Sequence, residues 1–191
     1  MENITQMFRL KLTYQAENQE TGDVEKIKEE ILVQCVNYTD AETLLNKVIE
    51  HYDMAKLAPV VYEIVKCKFD VQDIYLNSLT DCDSDDTPLT CGRLNVFFAN
   101  ESHGLYAVDT IIFGDKSLKE KDIKTTYLIP AEDPADATVR TKIILVDGGN
   151  DEEDIAVTNV KYDKAGNFYL EPKTYAELTD RSIKILEKYG L

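Results

Sequence analysis

Few residues of this 191-residue chain are of types that do chemistry, and their spacing decides against most of it. The densest set is Asp81, Asp83, Asp85 and Asp86, whose alternate carboxylates resemble the opening of a calcium-binding loop. Such a loop needs glycine at its sixth position and a bidentate glutamate at its twelfth. Counted from Asp81, those positions hold Asp86 and Gly92, so the run reads as a solvated linker. Zinc lacks a ligand set: Cys82 and Cys91 have eight residues between them, no CxxC pair occurs, and the only histidines are His51 and His103. His51 falls near the end of a predicted helix, where an imidazolium suits the free carbonyls. Ser102-His103-Gly104 leaves a serine–histidine arrangement open by count, but no GxSxG elbow supports one. None of the eight glycines falls in a phosphate-cradling spacing. The triplet Glu171-Pro172-Lys173 has nuclease-like spacing, but Pro172 would break the strand that should carry it. The chain therefore reads as no enzyme, with no catalytic, cofactor-binding or metal-ligating residue to assign.

The charge speaks to partners. A formal net charge of −15 argues against wrapping a nucleic-acid backbone in a sequence-specific way, or lying on an anionic membrane. It suits a wall that DNA must slide past, or a surface that imitates DNA. The N-terminus MENITQMFRL has no basic and apolar leader pattern, and no apolar run approaches the ~20 residues of a membrane helix. Cys35 and Cys67 sit in apolar strands as small hydrophobes, and reduced thiols are the expectation.

The elements that must position these residues follow from periodicity. Phe8, Leu10, Leu12 and Tyr14 alternate with Arg9, Lys11 and Thr13, predicting a half-buried strand. Val24 to Val36 returns as its hairpin partner, with Glu25 to Glu30 projecting from the sheet. Asn37 or Thr39 caps a helix to about Tyr52, with Glu42 placed to reach back from Thr39. Strands follow at Val60 to Phe69 and Val71 to Leu76. After the acidic stretch, Leu94 to Phe98 reopens the pattern, and Leu105 to Phe113 lies in a long excursion. Tyr127 to Ala131 is a strand, and Asp133-Pro134 starts a helix that ends at Gly148-Gly149. Ile155 to Tyr162 and Phe168 to Leu170 flank a predicted hairpin turn at Asp163 to Asn167. Tyr175 to Tyr189 forms a final amphipathic helix.

Residues 31–64 and 127–160 align without a gap at a constant spacing of 96. Cys35 falls on Ala131, Asp40-Ala41 on Asp136-Ala137, Val48-Ile49 on Ile144-Leu145, and Val61 and Ile64 on Val157 and Val160. An apolar period kept at fixed spacing is what a duplicated packing unit leaves behind. The expected fold is α+β: two repeated ββαβ(β) units with mainly antiparallel sheets, plus a C-terminal helix. The expected boundaries are 1–80, an acidic linker 81–90, 91–172 with an inserted hairpin or loop 100–122, and the helix 173–191.

At Ile31-Leu32-Val33 through Tyr38-Thr39-Asp40-Ala41-Glu42, and again at Thr126-Tyr127-Leu128-Ile129-Pro130-Ala131, the chain resembles a poorly characterised family found in tailed phages and prophages of gut bacteria. In that family a strand ending in a YLV-x-A-like run leads into a helix with an (S/T)-x-x-(E/D)A-like start. Here Cys35 stands where alanine is usual, and Pro134 falls inside the second helix start. The resemblance implies a virion protein assembled in the host cytoplasm, a tail ring or portal-adaptor subunit of a crAss-like phage. Its partners would be further copies of itself in a cyclic ring and neighbouring tail or portal proteins, with DNA passing through the conduit. The family offers no catalytic residue to carry over. Leu105, Tyr106, Val108, Ile111, Ile112 and Phe113 offer more apolar surface than a solvated loop leaves exposed. With Ile183 and Leu186 of the last helix they are the expected contacts between chains, and the excursion is expected to be separable from the fold. The competing reading is a soluble acidic DNA mimic, an anti-defence or regulatory binding protein.

Overall fold

The computed structural model describes residues 5–17, 20–54, 59–76, 79–81, 92–98 and 102–190. Among these run β1 (Gln6–Glu17), β2 (Val24–Cys35), α1 (Tyr38–Met54), β3 (Pro59–Lys66), β4 (Leu79–Asp81), β5 (Leu94–Phe98), β6 (Gly104–Ile112), β7 (Ile123–Ala131), α2 (Pro134–Asp147), β8 (Ile155–Asp163), β9 (Asn167–Leu170) and α3 (Pro172–Tyr189). The fold is mixed α+β, with two mostly antiparallel sheets and a C-terminal helix. One sheet has the order β3-β1-β2-β9-β5-β4 and the other β7-β6-β8. The chain divides into two compact units, one of 1–67, 80–98 and 164–175, the other of 68–79, 99–163 and 176–191.

In the first unit β1 lies between β2 and β3 and is antiparallel to both. Its alternation buries Phe8, Leu10 and Leu12 on the face that α1 covers, where they meet Ile31, Val33, Cys35, Ala41, Leu44, Leu45 and Val48. Those helix residues recur at three and four, so one stripe of α1 is apolar and the sheet removes it from water. The last five residues of β2 are all buried, while Val24 to Lys28 are exposed at the far end of the hairpin. β9 extends the sheet by pairing parallel with β2, and β5 adds antiparallel to β9. Along the β1–β3 pair, Thr13 faces Val61 and Tyr14 faces Pro59, so Val60 is an extra residue and the ladder bulges there.

In the second unit β6 lies between β7 and β8, again antiparallel to both. Tyr106, Val108 and Ala131 pack with Ala137 of α2, and Val157 and Val160 close the cluster. Thr158 is the extra residue along β6–β8, where Asp109 faces Asn159 and Thr110 faces Val157. Gly104 opens β6 beneath the Tyr162 ring, where a Cβ would come within 2.8 Å of that ring. α2 ends at Gly148 and Gly149, the latter at φ +93°, a conformation that favours glycine. The stretch expected as a strand at Val71 to Leu76 is a 3-10 turn over Val71–Asp73 followed by a single bridge, Ile74 to Leu128. α3 docks on that segment: Arg181 donates to the Val71 and Ile74 carbonyls at 3.1 and 2.7 Å, and Ser182 Oγ accepts from the Leu76 amide at 3.0 Å.

Three further sequence expectations are corrected. Leu94–Phe98 does not open the second unit but pairs with β9 in the larger sheet. β8 and β9 form no hairpin, since they belong to different sheets; Phe168 and Leu170 are fully buried beside β2, a stronger demand than the local turn signal. Gly104–Ile112, expected within an inserted hairpin or loop, is the middle strand of its sheet.

Leu45 and Ile144 are 1% and 5% exposed on their helices' apolar faces. Leu45→Asp or Ile144→Asp is expected to destabilise its unit by about 3 kcal/mol or more, since each buries a carboxylate without a partner. Urea denaturation followed by circular dichroism measures the loss. Deleting residues 104–114 removes β6, and cooperative unfolding of the second unit is then expected.

Candidate functional site

The polar groups that the fold gathers most tightly sit where a strand turns into a helix. In the first unit Asn37 Oδ1 accepts from the Asp40 amide at 3.0 Å, and Asp40 Oδ2 accepts from the Val36 amide at 3.0 Å. Asn37 is thus the cap, and Thr39 lies inside the helix, where its carbonyl accepts from Thr43 Oγ1. In the second unit Asp133 Oδ1 accepts from the Ala135 and Asp136 amides, both at 2.8 Å, and Asp136 Oδ2 accepts from the Glu132 amide at 3.0 Å. Each arrangement satisfies helix amides that have no intrahelical partner and fixes the corner before the helix.

An arginine closes each corner. Arg93 Nη2 reaches Asp40 Oδ2 at 2.6 Å, and its Nε donates to the Gln34 carbonyl at 2.6 Å. Arg140 Nε reaches Asp136 Oδ2 at 2.7 Å from one turn along the same helix. Both arginine side chains are 8% exposed, so each guanidinium is out of water and held by its carboxylate. Buried Gln34 completes the first corner. It donates to Thr5 and Thr174 hydroxyls at 2.9 Å each and accepts from the Glu171 amide at 3.0 Å.

Arg140 Nη2 also lies 3.1 Å from His103 Nε2. A guanidinium only donates, so Nε2 accepts and the imidazole proton sits on Nδ1. Nδ1 in turn lies 3.3 Å from Ser102 Oγ and faces it as a donor. The row of Arg140, His103 and Ser102 ties α2 to the entry of β6.

The other residues singled out by sequence fall as follows. Asp81 ends β4, while Cys82, Asp83, Asp85, Asp86 and Cys91 lie outside the described residues. Among the described residues no group of three or more His, Cys, Asp or Glu could hold a metal ion. His51 lies in α1, with its side chain outside the description. Pro172 is the first residue of α3, so Glu171 and Lys173 share no strand. Of the expected contacts between chains, Leu105, Tyr106 and Val108 are core at 2%, 9% and 0% exposure, and Ile111 and Ile112 are half-buried. Phe113 and Ile183 are exposed, and the Leu186 side chain lies outside the description. The first half of the apolar run is thus covered within the second unit, and its end is not. Sequence reasoning missed Arg93, Arg140 and Gln34. Arg140 carried a signal, four residues after Asp136 on one helix, and so did Gln34, a lone amide in an apolar strand.

Two carboxyls of the second unit are displaced in opposite directions. Burial acts to raise Asp109, but bonds from Thr126 Oγ1 at 2.6 Å and Asn159 Nδ2 at 3.1 Å, with Lys68 nearby, hold it below the usual range. Asp73 is pushed up by burial and by Asp70, against the Asp70 amide and Arg181. Burial likewise raises Tyr75 and Tyr127, whose rings lie 6.3 Å apart, with Arg181 over Tyr75 at 4.8 Å.

Asp109 contributes stability that is present above its unfolded value, about 4, and lost as pH falls through its lower folded value. For Asp73 the sign reverses: its contribution is present below about 4 and lost as pH rises through its higher folded value. At neutral pH Asp109→Ala is therefore expected to lower the melting temperature and Asp73→Asn, which keeps an acceptor for the Asp70 amide, to raise it. Melts across an acid-to-neutral series check both signs. Asp40→Ala, which strands a buried guanidinium, is expected to cost about 2–3 kcal/mol by urea titration.

A family model described as Domain of unknown function (DUF4494) matches residues 6–86, a stretch that takes in β1, β2, α1, β3 and β4. No curated protein matches the chain.

Proposed function

We propose that the protein is a non-catalytic structural subunit of a phage virion, forming a ring with copies of itself as a tail or portal-adaptor component around the DNA conduit. In this reading its two ββαβ units are copies of one duplicated element. Several observations support the duplication. In each unit the first strand is central and antiparallel to the other two, and a bulge lies between the first and last strands. The caps Asn37 and Asp133, the reaching carboxylates Asp40 and Asp136, and the fully buried Ala41 and Ala137 each stand 96 residues apart.

The observation that carries the assembly reading is that both units leave their last strand with an open outer edge. Among the described residues no strand lies on the outer side of β3 or of β8. Val61, Tyr62 and Tyr162 on these strands are 60%, 59% and 57% exposed. Open edges with apolar side chains are templates for another chain. The virion setting rests on the resemblance to phage proteins, and the net charge of −15 suits a wall past which DNA moves without adhering.

Light scattering on the purified protein, with negative-stain microscopy, is expected to show closed rings of one stoichiometry. A chain that stays monomeric at high concentration, is absent from purified particles and occupies the basic cleft of a host DNA-binding protein would establish the acidic mimic instead.

A further inference from the structure

The ring reading leaves open which surfaces join, and this inference rests on it. We infer that the joint between neighbouring copies is a β-sheet edge contact in which β3 of one copy pairs antiparallel with β8 of the next, with Glu63 opposite Lys161.

The bulges define the usable lengths. Val60 is the extra residue in β3 and Thr158 in β8, which leaves regular ladder over 61–66 and 159–163. Setting Glu63 against Lys161 in antiparallel register brings Tyr62 opposite Tyr162, Ile64 opposite Val160 and Val65 opposite Asn159. All these pairs lie within the regular stretches.

Side-chain faces agree with this register. Tyr62 and Ile64 pair with Leu12 and Leu10 of β1, which face α1. Val160 and Tyr162 pair with Val108 and Tyr106 of β6, which face α2. The joined sheet therefore keeps α1 of one copy and α2 of the next on the same side. A slip by one residue would turn Glu63 and Lys161 onto opposite faces. The tyrosines, each more than half exposed in the single chain, would cover one another across the joint.

Charge selects this pairing over its symmetric rivals. Glu63 and Lys161 are both exposed, and Glu63 uses one carboxylate oxygen to hold Lys11 at 3.1 Å. A joint of β3 with β3 centred on Glu63 would set carboxylate against carboxylate, and one of β8 with β8 centred on Lys161 would set ammonium against ammonium. Pairing two different edges is heterologous, and a heterologous contact builds rings when its rotation closes.

Sedimentation of the full chain over a concentration series tests the joint with Glu63→Lys, Lys161→Glu and the double exchange. Both positions are exposed, so the fold of each variant is expected to match the parent by circular dichroism. Each single exchange is expected to weaken self-association by about tenfold or more, and the double exchange to restore it. Rings that form equally well in both single variants, or a double exchange that restores nothing, would overturn this joint while leaving the ring reading standing. A parent chain that never associates would overturn both.

Discussion

The corner between strand and helix is the constraint on which each unit depends. A helix that lays its apolar stripe on a sheet must begin at a fixed angle from the preceding strand, and its first amides need partners there. In both units a cap side chain takes those amides while the aspartate at the third helical position reaches back to the amide ahead of the cap. The buried arginine neutralises that aspartate. With the corner fixed, Ala41 and Ala137 bring their helices close enough to bury the stripe, and the strands on either side of β1 and β6 follow.

The two corners are closed differently, and the difference explains the unequal sheets. Arg140 comes from the same helix as its aspartate, so the second unit completes its corner locally. Arg93 arrives from 53 residues away, and its Nε also takes the Gln34 carbonyl. Closing the first corner therefore brings in the segment ahead of β5. Gln34 extends that closure to Glu171 and Thr174, and β9 and β5 add to the sheet beside it.

What was legible in the sequence is what short-range physics decides. The alternation of Phe8 to Leu12, the caps before both helices and the glycines after α2 each act within a few residues, and the helices stand where these signals put them. Strand pairing is decided over long range. Nothing local in Leu94–Phe98 or Asn167–Leu170 says that they join one sheet, and the turn residues between β8 and β9 suit a crossover as well as a hairpin. Gly104–Ile112 misled for a related reason. A strand central in its sheet with apolar residues on both faces loses clean alternation, and a run such as Leu105 to Val108 then looks like uncovered surface. The buried arginines were obscured by composition, since 30% of the chain is charged and most charges are solvated.

The same physics that completes the cores leaves two edges unfinished. β7 is shielded by the bridge from Ile74 and by the Tyr75 amide, which donates to the Leu128 carbonyl at 3.0 Å. β3 and β8, the last strands of their units, have no such cover among the described residues. Natural sheets seldom leave an apolar edge open without a use for it. Hydrogen exchange of the backbone amides in dilute and in concentrated protein tests that use most directly. Assembly through the edges predicts that protection of the outward-facing amides within 62–65 and 159–162 rises together with concentration, while the β1 and β6 amides stay unchanged. Fast exchange on both edges in the assembled state would contradict it.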